Sequence, residues 1–127
     1  MNITVKVENI GPVKGRAVVQ AYLEFPRDTG YDMPVVQLRD FGKTDVLAAG
    51  GDGGGGGSSE VVEFSLTRKD VSVWDVGVQN WIVPVAKGGG GGGDDDEQRL
   101  FKVWLGFSSG DLKVWCGSDG VCRSVVA

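Results

Sequence analysis

The segment VVEFSL, Val61–Leu66, shows the pattern that decides the fold class. Successive side chains of a strand point to opposite faces, so Val62, Phe64 and Leu66 are predicted to face a core. Other apolar segments of strand length occur along the chain, separated by turns that contain Gly or Pro. These segments are Ile3–Val7, Ala17–Phe25, Leu38–Val46, Trp74–Val76, Gln79–Val83, Leu100–Leu105 and Leu112–Trp115. A series of short strands with little helix predicts an all-β antiparallel sandwich.

Length and composition limit the classes of function. A chain of 127 residues fits one domain, predicted here to span residues 1–127. There is no histidine, which removes the commonest general base and most zinc and copper sites. The formal net charge of −4 does not fit nucleic-acid binding, which needs a clustered basic surface. No apolar stretch approaches the ~18 residues of a membrane span, and Met1–Gly11 lacks the pattern of a secretory signal.

Two glycine runs, Gly53–Gly57 and Gly88–Gly93, stand between predicted strands. Because polyglycine buries no apolar side chain and keeps its backbone freedom, mobile loops are predicted at residues 50–59 and 87–98. The second run continues into Asp94–Glu97, whose oxygen ligands would suit calcium. Four adjacent acids lack the spaced ligands of an EF-hand loop, so a low-complexity insertion in a tolerant loop is the favoured interpretation. We predict no metal site and no cofactor.

Five segments, in order along nearly the whole chain, point to one family. Residues 11–23 are similar to an NxGxxxGxxVVQxY stretch, LRDFGK (38–43) to LRGFxK, and FSLTRKDVSVWD (64–75) to FxLxRRDLSxWD. QNW (79–81) and residues 103–112 match an aromatic position and a terminal VxVGxSSRDI strand and turn. The chain thus resembles the fibronectin type III-like domain of family 3 glycoside hydrolases, most closely the fungal β-glucosidase branch. The resemblance implies a fibronectin type III or immunoglobulin-like sandwich.

The resemblance also implies a non-catalytic accessory module of a secreted β-glucosidase. Such enzymes are retaining and use two carboxyl groups, which belong to catalytic domains N-terminal to this one. Asp40 and Asp75 lie in segments that are similar to the accessory domain and neither corresponds to the catalytic nucleophile, so no catalytic residue is predicted. The expected partners are the catalytic domains of a parent enzyme, which the module would brace, and a polymeric β-glucan.

Two other classes of function remain open. A stand-alone secreted module, effector-like, could bind a glycan or a protein with the same sandwich. An enzyme that uses Asp or Glu pairs on this fold is the third hypothesis, and any glucosidase turnover by the chain itself would support it.

The chain departs from the family pattern at two informative places. Asp40 stands where the family has Gly, which suggests that the tight conformation there is reached differently. The strand that the family places before Ile3 is absent. One sheet edge is therefore expected to be open to pairing with another chain, which predicts a homodimer. Either the sequence is trimmed, or the chain is a separate small protein that replaces the strand through a partner.

Several further residues are candidate sites. Cys116 and Cys122 flank a glycine-bounded spacer that could close a small loop, and the secretion implied by the resemblance favours a disulfide over two free thiols. Asn2-Ile3-Thr4 is a glycosylation sequon. Trp74 and Trp81 are predicted to contact a glycan or a neighbouring domain, and Trp104 is predicted to be core.

Overall fold

Strands make up the regular structure of this chain. A computed structural model describes residues 2–50, 57–85 and 101–115 and the short strand 125–126. No helix occurs in these ranges, and therefore none long and apolar enough to cross a membrane. The strands are β1 Asn2–Glu8, β2 Val18–Glu24, β3 Val36–Lys43, β4 Ser59–Ser65, β5 Val73–Asp75, β6 Asn80–Ile82, β7 Lys102–Gly106, β8 Lys113–Trp115 and β9 Val125–Val126.

Two sheets face each other, and a separate hairpin lies beside them. One sheet has the order β4-β1-β9, the other has the order β3-β2-β7-β8, and β5 pairs only with β6. All pairings are antiparallel except that of β1 with β9. The predicted all-β antiparallel sandwich is therefore confirmed.

The alternation of apolar side chains places the core between the two sheets. As predicted, Val62, Phe64 and Leu66 are buried, and Val5 lies directly opposite Val62. Each such side chain contributes about 1.5–3 kcal/mol when it leaves water. The core also includes Ile3, Val7, Val19, Ala21, Leu23, Phe25, Leu47, Val103 and Leu105.

Gly42 marks the closest approach of β3 to the opposite sheet. A Cβ atom at this position would lie 2.2 Å from Cγ1 of Val62, well inside van der Waals contact. Gly42 pairs with the buried Val19, so it points inward. The absence of a side chain at Gly42 therefore makes room for Val62.

Asn9 connects three segments at one end of the sandwich. Its Nδ2 donates to the carbonyls of Val13 (2.8 Å) and Leu47 (3.3 Å), and its Oδ1 accepts from the Gly11 amide (2.9 Å). The backbone amide of Asn9 donates to the carbonyl of Ser58 at 3.2 Å. These bonds satisfy backbone groups that no strand pairs, which fixes the crossover from β1 to β2.

The structure describes both ends of the first glycine-rich segment. Gly50 is buried and its amide donates to Gly11. A Cβ at Gly57 would meet the carbonyl oxygens of Asn9 and Ala48 at 2.3 and 2.5 Å. Ser58 and Ser59 are described as well, and Ser59 begins β4; residues 51–56 of the predicted mobile loop at 50–59 lie outside the described residues, as does the loop at 87–98. The extent of the single domain, 1–127, stays a prediction.

The predicted open edge belongs to β1. Val7 and Glu8 pair in parallel with Val125 and Val126, a strand that the sequence pattern does not predict. In the part of the chain that the structure describes, the remainder of this edge, residues 2–6, pairs with no strand on the side away from β4.

Candidate functional site

The hairpin of β5 and β6 carries the two tryptophans singled out in the sequence. Trp74 lies directly opposite Trp81, with ring centroids 5.7 Å apart and ring planes inclined by 70°. The two side chains are 49% and 43% exposed. A hairpin of three-residue strands is marginal in water, and this edge-to-face pair stabilises it.

Asp75 closes the turn of the hairpin. Its Oδ1 accepts hydrogen bonds from the amides of Gly77 (2.7 Å) and Val78 (3.0 Å), and Gln79 has a left-handed φ of 51°. Tyr31 donates its hydroxyl to Oδ2 of Asp75 at 2.5 Å, which attaches the hairpin to the loop after β2. This hydrogen bond to a carboxylate raises the pKa of Tyr31. Asp75 therefore has a structural role in the turn.

The segment before β5 covers one face of Trp81. Nζ of Lys69 lies 5.2 Å from the ring centroid of Trp81, within the range of a cation–π contact. Lys69 is held by a turn in which Oδ2 of Asp70 accepts from both the amide and the hydroxyl of Thr67, each at 2.7 Å. These bonds lower the pKa of Asp70, and the bond from the Thr67 amide has the largest effect. The structure has a hydrogen-bonded turn here and no helix.

The geometry of the tryptophan pair limits what it can bind. Rings inclined by 70° do not form the flat row that a crystalline polysaccharide surface would need. Each ring still exposes apolar area, and Val76 and Val78 at the tip of the hairpin are exposed as well. Among the described residues, no group of three or more acids or cysteines is placed to hold a metal. The hairpin therefore presents an exposed apolar surface made by the two rings and the two valines.

The other candidate residues lie elsewhere. Asn2 begins β1, is exposed, and accepts a hydrogen bond from the hydroxyl of Ser65 at 3.1 Å. Its glycosylation stays a prediction. Cys116, Cys122 and the acids at 94–97 lie outside the described residues.

The prediction that Trp104 belongs to the core is wrong. Val103 and Leu105 point inward, so Trp104 between them points outward, half-buried, and its Nε1 donates to Oε2 of Glu24 at 2.7 Å. Sequence reasoning also missed Phe41, which lies on the same outer face. Strict application of the period-2 rule to residues 103–105 could have placed Trp104 correctly.

Comparison with a family model and with the sequences of known proteins identifies related domains. Residues 17–88 match the fibronectin type III-like domain. The chain is similar to the probable β-glucosidase F of Aspergillus oryzae, with 45% identity over 98% of this chain, and to that of Aspergillus fumigatus, with 42% identity over 97%. It spans 12% of the length of each of these relatives.

Solved structures agree with the sequence comparison. The β-D-glucoside glucohydrolase of Trichoderma reesei matches with a TM-score of 0.66 and 30% identity, over 88% of this chain and 13% of that one. A β-glucosidase of Chaetomella raphigera matches with a TM-score of 0.66 and 32% identity, over 87% of this chain and 13% of that one. In both cases the similarity covers nearly the whole of this chain and a small part of the enzyme.

Proposed function

This chain belongs to the fibronectin type III-like domain family, and on that premise we propose that it is a non-catalytic accessory module of a secreted β-glucosidase. It would brace the catalytic domains and aid contact with polymeric substrate. The observation that carries the proposal is the coverage: the match includes 98% of this chain and 12% of the Aspergillus oryzae relative. The chain thus corresponds to the fibronectin type III-like portion of such enzymes and lacks their catalytic domains.

A domain exchange tests the proposal. In the exchanged enzyme, this chain replaces the matching segment of the Aspergillus oryzae β-glucosidase F. The exchanged enzyme is expected to keep its glucosidase activity during heating far longer than a variant from which the segment is deleted, because a bracing module stabilises the domains it contacts. The intact relative is the positive control. Equal inactivation rates of the exchanged and deleted enzymes would contradict the proposal.

The half-exposed Trp74 and Trp81 favour a second candidate, a stand-alone secreted module that binds a glycan or a protein. Tryptophan fluorescence of the purified chain, titrated with β-glucans, cellulose, chitin and short glucosides, would detect glycan binding. Saturable binding that is lost in both Trp74→Ala and Trp81→Ala would support this candidate. A flat titration would leave the accessory module as the preferred function.

Three further proposals follow from secretion and from the open edge of β1. We expect Cys116 and Cys122 to form a disulfide in the secreted protein, which titration of free thiols would test.

We expect Asn2 to be glycosylated when a secretory host makes the chain, which mass measurement before and after glycosidase treatment would test. Pairing of two copies through residues 2–6 predicts a homodimer, which light scattering would detect.

A further inference from the structure

The two outer faces of the sandwich differ in chemistry. On the sheet of β1 and β4, the outward side chains are polar except Val61. This is the usual composition of a face in contact with water. On the sheet of β3, β2 and β7, the outward side chains are Gln20, Glu24, Lys43, Lys102, the half-buried Val36 and five further apolar residues, two aliphatic and three aromatic. We call these five residues the outer apolar face: Val18, Tyr22, Leu38, Phe41 and Trp104.

A bulge in β3 gathers these residues on one side. Tyr22 pairs with Leu38 on one neighbouring strand and with Trp104 on the other, so the three side chains form a row across the sheet. Leu38 and Phe41 are three positions apart and would point to opposite sides of a regular strand. The register shift between Ala21 and Tyr22 leaves one extra residue in β3, and both Leu38 and Phe41 consequently face outward.

The polar atoms of the outer apolar face already have partners. The indole Nε1 of Trp104 donates to Glu24, and the hydroxyl of Tyr22 donates to Oε1 of Gln20 at 2.5 Å. Glu24 and Gln20 are on the same face as the rings that they bind. A surface that covers this face would need to supply no hydrogen bond to those two atoms, so burial of the rings would leave neither unsatisfied.

The outer apolar face nevertheless remains open in this chain. Phe41 is 66% exposed, Leu38 49% and Val18 39%. A single exposed apolar side chain needs no explanation, but three exposed ones beside two half-buried aromatic rings on one sheet face, opposite a polar face of the same sandwich, are typical of a contact surface.

The size of the face indicates what covers it. Seven residues of β2, at ~3.4 Å each, and three strands spaced by ~4.8 Å give roughly 340 Å². A stable complex of separate proteins buries about 800 Å² on each partner. A partner in the same polypeptide needs less area, because the linker gives it an effective concentration of about millimolar. The chain spans 12% of its Aspergillus oryzae relative, whose remaining length offers such a partner.

We infer that the outer apolar face, Val18, Tyr22, Leu38, Phe41 and Trp104, is the surface by which this domain packs against an apolar patch of the catalytic portion of a β-glucosidase polypeptide. The inference rests on the proposed function and assigns it a surface. It places the contact on the four-stranded sheet and not on the hairpin that carries Trp74.

Side-chain footprinting tests this assignment. The 127-residue chain and the exchanged enzyme are labelled with a photoactivated carbene, and the modification of each residue is measured by mass spectrometry. If Phe41 passes from 66% exposed to the buried centre of an interface, its labelling falls by roughly fivefold or more. Leu38 is expected to follow it. Val61, which is 57% exposed on the polar outer face, is the matched control and is expected to keep its labelling.

The possible results of the footprinting distinguish failure of the assigned surface from failure of the proposed function. Unchanged labelling of Phe41 and Leu38 in an exchanged enzyme that outlasts the deletion variant would overturn the assigned surface and leave the proposed function intact. Protection of Phe41 in the isolated chain at high concentration would identify a second copy as the occupant and overturn the inference. Protection of Phe41 when β-glucan is added to the isolated chain would identify a glycan as the occupant and would also overturn the inference.

Discussion

Replacement of Gly42 by alanine tests the close approach of the two sheets. The new Cβ would lie 2.2 Å from Cγ1 of Val62, so that one of the two must move by more than an ångström. The χ1 angle of Val62 is stiff because the side chain is β-branched, and Cε1 of Phe64 would lie only 3.5 Å from the new Cβ. Overpacking of this kind costs about 1–3 kcal/mol of the free energy of unfolding. The melting temperature of the chain is expected to fall by roughly 4 °C per kcal/mol.

A double-mutant cycle isolates the contact. Val62→Ala removes two methyl groups from the core and costs about 2 kcal/mol by itself. In the double variant the alanine at position 42 has room, so we expect a coupling of about 1–2 kcal/mol between the two substitutions. Gly15→Ala is the matched control, because a Cβ there meets nothing within 4 Å. Additive effects of Gly42→Ala and Val62→Ala in thermal or urea unfolding would refute the packing described here.

Three further predictions concern the hydrogen bonds of Asn9, the pair formed by Trp74 and Trp81, and the carboxylate of Asp70. Asn9→Ala removes three side-chain hydrogen bonds and is expected to cost about 2–3 kcal/mol in urea unfolding, while an unchanged midpoint would contradict that role. Trp74→Ala and Trp81→Ala are expected to couple by about 0.5–1.5 kcal/mol in a double-mutant cycle, and purely additive effects would mean that the two rings do not stabilise each other. The pKa of Asp70 is lowered in the folded chain, so its contribution is present above the ordinary pKa and is lost as the pH falls through the folded value. The stability advantage of the parent over Asp70→Asn should therefore shrink below about pH 4, and an advantage independent of pH would argue against the bond to Thr67.

The strands with one buried and one exposed face could be predicted from the sequence. Residues 3–7 and 61–66 alternate between core and solvent, and the structure places their apolar members in the core. The series of short strands predicts the antiparallel sandwich, and the resemblance specifies it as a fibronectin type III or immunoglobulin-like sandwich. Trp74 and Trp81 lie in segments that carry the resemblance, and the structure shows that they form one exposed pair.

The outer apolar face could not be predicted, because it depends on pairing between strands. In the sequence, Leu38 and Phe41 have opposite phases, and only the bulge beside Asp40 brings them to one side. Asp40 accepts a hydrogen bond from the Phe41 amide at 2.8 Å at the position where the family has glycine. The parallel pairing of β9 with β1 joins residues more than a hundred positions apart, and no local pattern indicates it.

The most direct test of the account is the melting temperature of the exchanged enzyme with a charge placed on either outer face. Phe41→Glu puts a carboxylate on the outer apolar face, and Val61→Glu puts the same group on the polar face. Both side chains are exposed in the isolated chain. The free energy of unfolding of each isolated variant should therefore lie within about 0.5 kcal/mol of that of the parent. In the exchanged enzyme, Phe41→Glu is expected to lower the melting temperature by several degrees and Val61→Glu to leave it unchanged, since only the first would bury an unpaired charge. Equal melting temperatures for the two variants would contradict the account.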